Sequence, residues 1–183
     1  GESGCGKTTV ALSILRTLPT AGKILEGKLL FKGQNILDLS EDEFRDNIRW
    51  KGISIVFQGA MNALNPVYKI GDQIIEAITL HEPAVEREAA VERTQKLFEL
   101  VGIDPSRIDN YPHEFSGGMR QRSMIAMALA CNPALLIADE PGTALDVIVA
   151  AQVLKLMNEL KAKLNLAMIL ITHDLSIIAE TCE

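Results

Sequence analysis

The chain opens Gly1-Glu2-Ser3-Gly4-Cys5-Gly6-Lys7-Thr8-Thr9, and its first eight residues fit G-x-x-x-x-G-K-[ST], the pattern of a phosphate-binding loop. The glycines let successive backbone N–H groups converge on one anion, and a helix beginning near Lys7 adds the positive end of its dipole. Lys7 supplies a point charge, and the Thr8 hydroxyl is a hard oxygen ligand for Mg²⁺. With ordinary abundances of Gly, Lys and Ser/Thr, chance produces this pattern at roughly one position in 30,000. A loop of this kind needs a strand-and-helix scaffold around it, and the rest of the sequence supplies one.

Working outward, residues 8–18 carry Val10, Ala11, Ile14, Leu15 and Leu18 near a 3.6 period, and Pro19 with Gly22 stops the run. Residues 27–31 and 34–39 read as short strands about a Lys32-Gly33 turn. Residues 41–47 read as a helix capped by Ser40, and residues 51–58 as a buried strand. From about residue 69 to 131 helical patterns dominate: 71–80 with Ile74, Ile75 and Ile78 on one face, then 84–101 with Leu97, Phe98 and Val101. The last third alternates strand 134–138, helix 147–164, strand 167–171 and helix 175–182. Wholly apolar strands interleaved with helices predict an α/β fold, a largely parallel sheet covered on both faces.

Several strand ends carry polar chemistry. Asp139 and Glu140 follow the apolar run 134–138, where open α/β sheets meet their ligands. One carboxylate there suits Mg²⁺ and the next suits polarisation of an attacking water. Gln58 and His173 end two other strands, and either side chain also serves as an ordinary polar exit. His81 and His113 read as solvated or locally hydrogen-bonded. Far along the chain, Phe115-Ser116-Gly117-Gly118-Met119-Arg120-Gln121 opens an apolar helix, with Ser116 as N-cap and two glycines leaving amides uncovered. One nucleotide hardly needs two such cradles, so the second is expected to face the nucleotide of a partner.

Composition narrows the alternatives. The chain has 183 residues, eighteen basic and twenty-four acidic side chains, a net charge of -6 and 48% hydrophobic residues. This is ordinary for one globular domain and argues against binding nucleic acid through a general electrostatic footprint. The longest apolar run, 124–131, falls well short of the roughly 20 residues needed to span a bilayer. Cys5, Cys131 and Cys182 form no C-x-x-C pair, so no disulfide framework or zinc site is predicted, and Cys131 reads as a small buried hydrophobe. The sequence starts inside a motif, and a fragment beginning mid-fold is expected.

These pieces, in this order, resemble the nucleotide-binding subunit of ATP-binding cassette (ABC) transporters, over essentially the whole chain. Residues 1–9 are similar to its Walker A loop and Gln58 to its Q-loop glutamine. Residues 115–121 look like its signature, 135–140 its Walker B, Ala144-Leu145-Asp146 its D-loop and His173 its switch histidine. Residues 57–66, 116–122 and 135–141 look like the dipeptide/oligopeptide and nickel import branch. Gly142 departs from the family's usual threonine, and Met119 replaces the glutamine of many relatives.

The resemblance implies a P-loop NTPase fold with a helical signature subdomain over about 69–131, inserted in a single ABC ATPase domain (1–183) whose N- and C-terminal strands are missing. It implies an ATPase in which Ser3, Gly4, Cys5, Gly6, Lys7, Thr8 and Thr9 bind ATP. Thr8, Gln58 and Asp139 attend Mg²⁺, Glu140 activates water with Gln58 and His173 beside it, and Asp146 belongs to the D-loop. Ser116, Gly117, Gly118, Met119 and Gln121 act on the partner's ATP. The implied partners are a second ABC subunit, transmembrane permease subunits and, indirectly, an extracytoplasmic substrate-binding protein, at the cytoplasmic face of the membrane. Import of di- or oligopeptides is expected; nickel import, or a soluble ABC ATPase acting on nucleic acid, are the alternatives. Weak or absent activity is expected of the isolated chain.

Overall fold

The alternation of apolar strands and helices becomes a parallel sheet with helices on both faces. The computed structural model describes residues 5–59 and 63–173; Ser3, Gly4 and the helix expected at 175–182 lie outside them. Helix α1 (Lys7–Ile14) leads to a small hairpin, β1 (Leu30–Phe31) and β2 (Gln34–Asn35), and to α2 (Glu41–Asn47). Strand β3 (Ile53–Val56) is followed by α3 (Ile70–His81), α4 (Arg87–Leu100) and α5 (Gly117–Ala128), with 3₁₀ turns at Pro105–Asp109 and Pro112–Glu114. Strand β4 (Leu135–Asp139), α6 (Val147–Leu164) and β5 (Ala167–Ile171) complete the described chain.

The three long strands pair in the order β3-β4-β5, both ladders parallel, with Ile55 opposite Ile137 and Ile137 opposite Ile169. Successive side chains of a strand point to opposite faces, and this divides the core in two. Leu136 and Ala138 join Val56, Met168 and Leu170 against α3, α4, α5 and α6. Ile137, with Leu135 beside it, joins Ile53, Ile55 and Ile171 against α1 and α2, where Ala11, Leu15, Ile36 and Phe44 are buried. Fully burying each large apolar side chain contributes roughly 1.5–3 kcal/mol, and both faces of the sheet are used.

Local chemistry sets where the elements begin and end. Ser40 caps α2 in a full capping box with Glu43. Lys32 and Gly33 both take positive φ, 49° and 82°, as the two-residue turn between β1 and β2 requires. Helix α1 stops four residues short of the expected 18. Thr17 N–H donates to the Leu12 carbonyl and Arg16 N–H to that of Ser13, with Arg16 at φ 54°, a Schellman ending that needed no glycine. The expected strands 27–31 and 34–39 shrink to two residues each, with one further bond from Ile36 N–H to the Leu29 carbonyl at 2.9 Å.

The helical middle is tied together by polar contacts. Arg93 donates to Glu82 and to the Ala130 carbonyl, 2.9 and 3.2 Å, and Arg122 donates to the Val101 carbonyl, 2.7 Å. His81, at the end of α3, stacks on Trp50 beside β3, with centroids 5.2 Å apart. His113 stacks on Tyr111 at 5.7 Å. Both histidines thus rest on aromatic rings.

Candidate active site

The site is built at the carboxyl ends of the three parallel strands, beside the first turn of α1. Gly6 precedes that helix at φ 88°, ψ 11° and offers no side-chain cap. Only glycine takes this conformation without strain, and it sets the chain into α1, whose first amides have no acceptor within the helix itself. Lys7 folds back so that Nζ lies 3.8 Å from Cys5 Sγ. Thr9 is exposed, and its carbonyl accepts from Ser13 Oγ at 2.8 Å.

Thr8 Oγ1 donates to Asp139 Oδ2 at 2.7 Å, across 131 residues of sequence. Asp139 is 1% exposed and continues the face of β4 on which Ile137 packs against α1. Its carboxylate therefore meets the helix that the phosphate-binding pattern opens. Two hard oxygen groups so placed suit a hard divalent cation. Among the described residues no cluster of three or more His, Cys, Asp or Glu could hold a metal.

Glu140 leaves the strand by a left-handed step, φ 48°, while its N–H donates to the Ile171 carbonyl at 2.8 Å. Such a backbone is uncommon for a residue other than glycine and concentrates at functional sites. The turn brings its carboxylate to the ends of both neighbouring strands. Gln58 Nε2 donates to Oε2 at 3.0 Å, Thr143 Oγ1 donates to the same oxygen at 3.0 Å, and His173 Nδ1 stands 3.1 Å from Oε1. Since a carboxylate only accepts, the histidine ring donates. Burial alone would push the Glu140 carboxyl up, but the bonds from His173 and Thr143, with the charges of His173 and Lys7, hold it below its ordinary value.

The predicted residues thus fall into two groups: Thr8 with Asp139, and Gln58 and His173 with Glu140. Gln58 contacts Glu140 rather than Asp139. Thr143 belongs to the second group although sequence reasoning did not select it; the signal was a hydroxyl three residues after a strand-end carboxylate.

The stretch expected to form a second anion cradle lies at the start of α5. Ser116 caps it, accepting from Met119 N–H at 3.3 Å, and Ser116 is exposed. Gly117, Gly118 and Met119 are half-buried, and Met119 Sδ accepts from Arg107 at 3.5 Å. Gln121 is only 2% exposed, so its amide points into the fold rather than toward the surface that Ser116 occupies. Asp146 caps α6, accepting from Val149 N–H at 3.0 Å.

The family model described as ABC transporter matches residues 1–143. The chain is 53% identical, over its whole length, to the "Probable peptide ABC transporter ATP-binding protein y4tR" of Sinorhizobium fredii, covering 55% of that protein. It is 48% identical to the "Oligopeptide transport ATP-binding protein OppD" of Bacillus subtilis, covering all of this chain and 51% of that one. The chain thus spans about half the length of the curated relatives it matches. Among solved structures, cbiO1 from Clostridium perfringens, part of the transporter complex cbiONQ, superposes with a TM-score of 0.83 at 27% identity, over 100% of this chain and 68% of that one. The ATP-binding cassette MJ0796, solved as a post-hydrolysis dimer bound to ADP and Pi, gives 0.77 at 26%, over 97% and 74%.

Proposed function

Because the chain belongs to the ABC transporter family, whose model matches residues 1–143, we propose that it binds and hydrolyses ATP to energise an importer of di- or oligopeptides. One observation carries the reading. At a single end of the sheet, a phosphate-loop threonine is bonded to a buried aspartate, and the adjacent glutamate is held by the Q-loop and switch positions. The peptide substrate is supported by the printed names of the relatives, and the paired arrangement by the dimeric cassette that the fold matches.

In this reading residues 3–9 hold the triphosphate, through the amides at the start of α1 and the charge of Lys7. Thr8 and Asp139 would hold Mg²⁺, which supplies charge neutralisation on the phosphate oxygens. Glu140, ionised at neutral pH because its donors keep its pKa low, accepts the proton of the water whose oxygen bonds to the γ-phosphorus. The bond from that phosphorus to the bridging oxygen breaks, and ADP leaves. Gln58 and His173 orient the carboxylate and the attacked phosphoryl group.

Residues 69–131 form a helical subdomain that carries the signature to the nucleotide of a second ATPase subunit and contacts transmembrane permease subunits. A substrate-binding protein delivers the peptide on the far side. The chain sits on the cytoplasmic face as a peripheral subunit, in keeping with the lack, among the described residues, of any helix long and apolar enough to cross a membrane.

The test is steady-state ATPase turnover of the full-length protein assembled with its permease. Removing a general base costs roughly 10²–10⁴-fold, so Glu140→Gln lowers turnover by that factor while ATP binding persists. Turnover equal to wild type rejects the reading.

A further inference from the structure

The first turn of α6 is pressed on two sides by glycines that belong to different halves of the proposed chemistry. A Cβ at Gly118, in the signature, would stand 2.6 Å from Val149 Cγ1. A Cβ at Gly142, two residues beyond Glu140, would stand 3.1 Å from that of Ala150. Val149 and Ala150 are consecutive, both half-buried, and both lie in the turn that Asp146 caps through Val149 N–H. Valine is stiff at χ1, so its contact with the backbone at Gly118 transmits displacement instead of absorbing it.

The loop from Glu140 to Asp146 is equally constrained. Thr143 N–H donates to the Glu140 carbonyl, 3.1 Å, Thr143 Oγ1 to the Glu140 carboxylate, 3.0 Å, and Leu145 N–H to the Gly142 carbonyl, 3.2 Å. A shift of α6 at Ala150 therefore reaches the Glu140 carboxylate through Gly142 and Thr143. A shift of the signature reaches α6 at Val149. Packed interfaces of this sort move between discrete arrangements rather than deforming smoothly.

We propose that Val149 and Ala150 are positioning residues that couple the signature, which serves the partner's nucleotide, to the Glu140 loop, which serves the chain's own. The inference rests on the ATPase reading above and adds a route between the two nucleotide sites that runs inside one subunit.

The experiment measures ATPase rate against ATP concentration for the full transport complex with Val149→Ala, Gly118→Ala and both together. Val149→Ala, which touches no nucleotide group, should bring the Hill coefficient from its wild-type value to about 1 with KM within about twofold. Gly118→Ala should lower the melting temperature, and the double variant should regain most of that loss, because the truncated side chain makes room for the new methyl. A wild-type Hill coefficient retained in Val149→Ala overturns the proposal. So does one already at 1 in the wild type, or a double variant that melts no higher than Gly118→Ala. Melting temperature read on the same proteins separates this from the ATPase reading. If the wild type hydrolyses no ATP, that reading fails, while the packing contact still stands or falls on whether Val149→Ala restores the melting temperature lost in Gly118→Ala.

Discussion

Replacing Thr8 by valine keeps the shape of the side chain and removes one hydroxyl, the donor to Asp139 Oδ2 at 2.7 Å. Hydrogen bonds to charged groups contribute about 1.5–3 kcal/mol. Asp139 is 1% exposed, so water does not readily take the hydroxyl's place on its side, whereas Thr8 itself is exposed and the lower half of that range applies. We expect a loss of about 2 kcal/mol, or roughly 4–8 °C in melting temperature for a domain of this size. Thr8→Ser, which keeps the hydroxyl, should lose well under half as much. The assay is urea unfolding without nucleotide, arranged as a double-mutant cycle with Asp139→Asn. The asparagine still accepts the hydroxyl's bond but without its charge, so the cycle reads the charge-assisted part, about 1 kcal/mol. A coupling below about 0.3 kcal/mol, with Thr8→Val as stable as wild type, would show that the pair contributes nothing and that the link between α1 and β4 is apolar only.

Further outcomes follow from the same geometry. Gly71→Ala places a Cβ against Ile108 Cγ1 and the Ile108 carbonyl oxygen, and overpacking of this kind costs about 1–3 kcal/mol, measurable as a lower urea midpoint with unchanged slope. The lowered pKa of Glu140 means that the unfolded chain binds its proton first as pH falls. Its stabilisation is complete above the unfolded value of about 4.3 and is lost as pH drops from there through the folded pKa; unfolding midpoints across that window should show a slope that Glu140→Gln reduces. Burial, reinforced by the negative charge of Glu82, pushes the Cys131 thiol up to about 11. Iodoacetamide at neutral pH should therefore label exposed Cys5 and spare Cys131 until the protein unfolds, as read by peptide mapping.

The sequence exposed those parts of the fold that rest on local pattern. Helix 147–164 was legible to the residue, because Asp146 caps it and Asn165 ends it at φ 50°. Strand 167–171 was legible because an unbroken apolar run, residues 166–171, follows that stop. The end of α1 was not, since a Schellman ending on Arg16 has no compositional mark and the nearest visible stop was Pro19. At the site, Lys7 and Thr8 could be read from the phosphate-loop pattern, and the types and order of Gln58, Asp139, Glu140 and His173 from strand ends. Their partition into two hydrogen-bonded groups depends on a left-handed backbone at Glu140, which nothing in a Glu-Pro-Gly sequence announces. Gln121 shows the opposite limit: motif position suggests contact with a partner, yet helical periodicity puts it on the buried face of α5 that also carries Ile125 and Ala128.

Leu135, Ile137 and Asp139 share one side of β4, and Leu136 and Ala138 the other. The aim of the aspartate is thus inherited from two aliphatic neighbours that have no part in the chemistry. Deleting any single residue between 135 and 138 would carry the carboxylate through the sheet to the layer of α5 and α6, away from Thr8, even if every catalytic side chain survived. In this fold the greasy residues of one five-residue strand are what keep a charged group pointed at its work, and they are as intolerant of insertion or loss as the acid they steer.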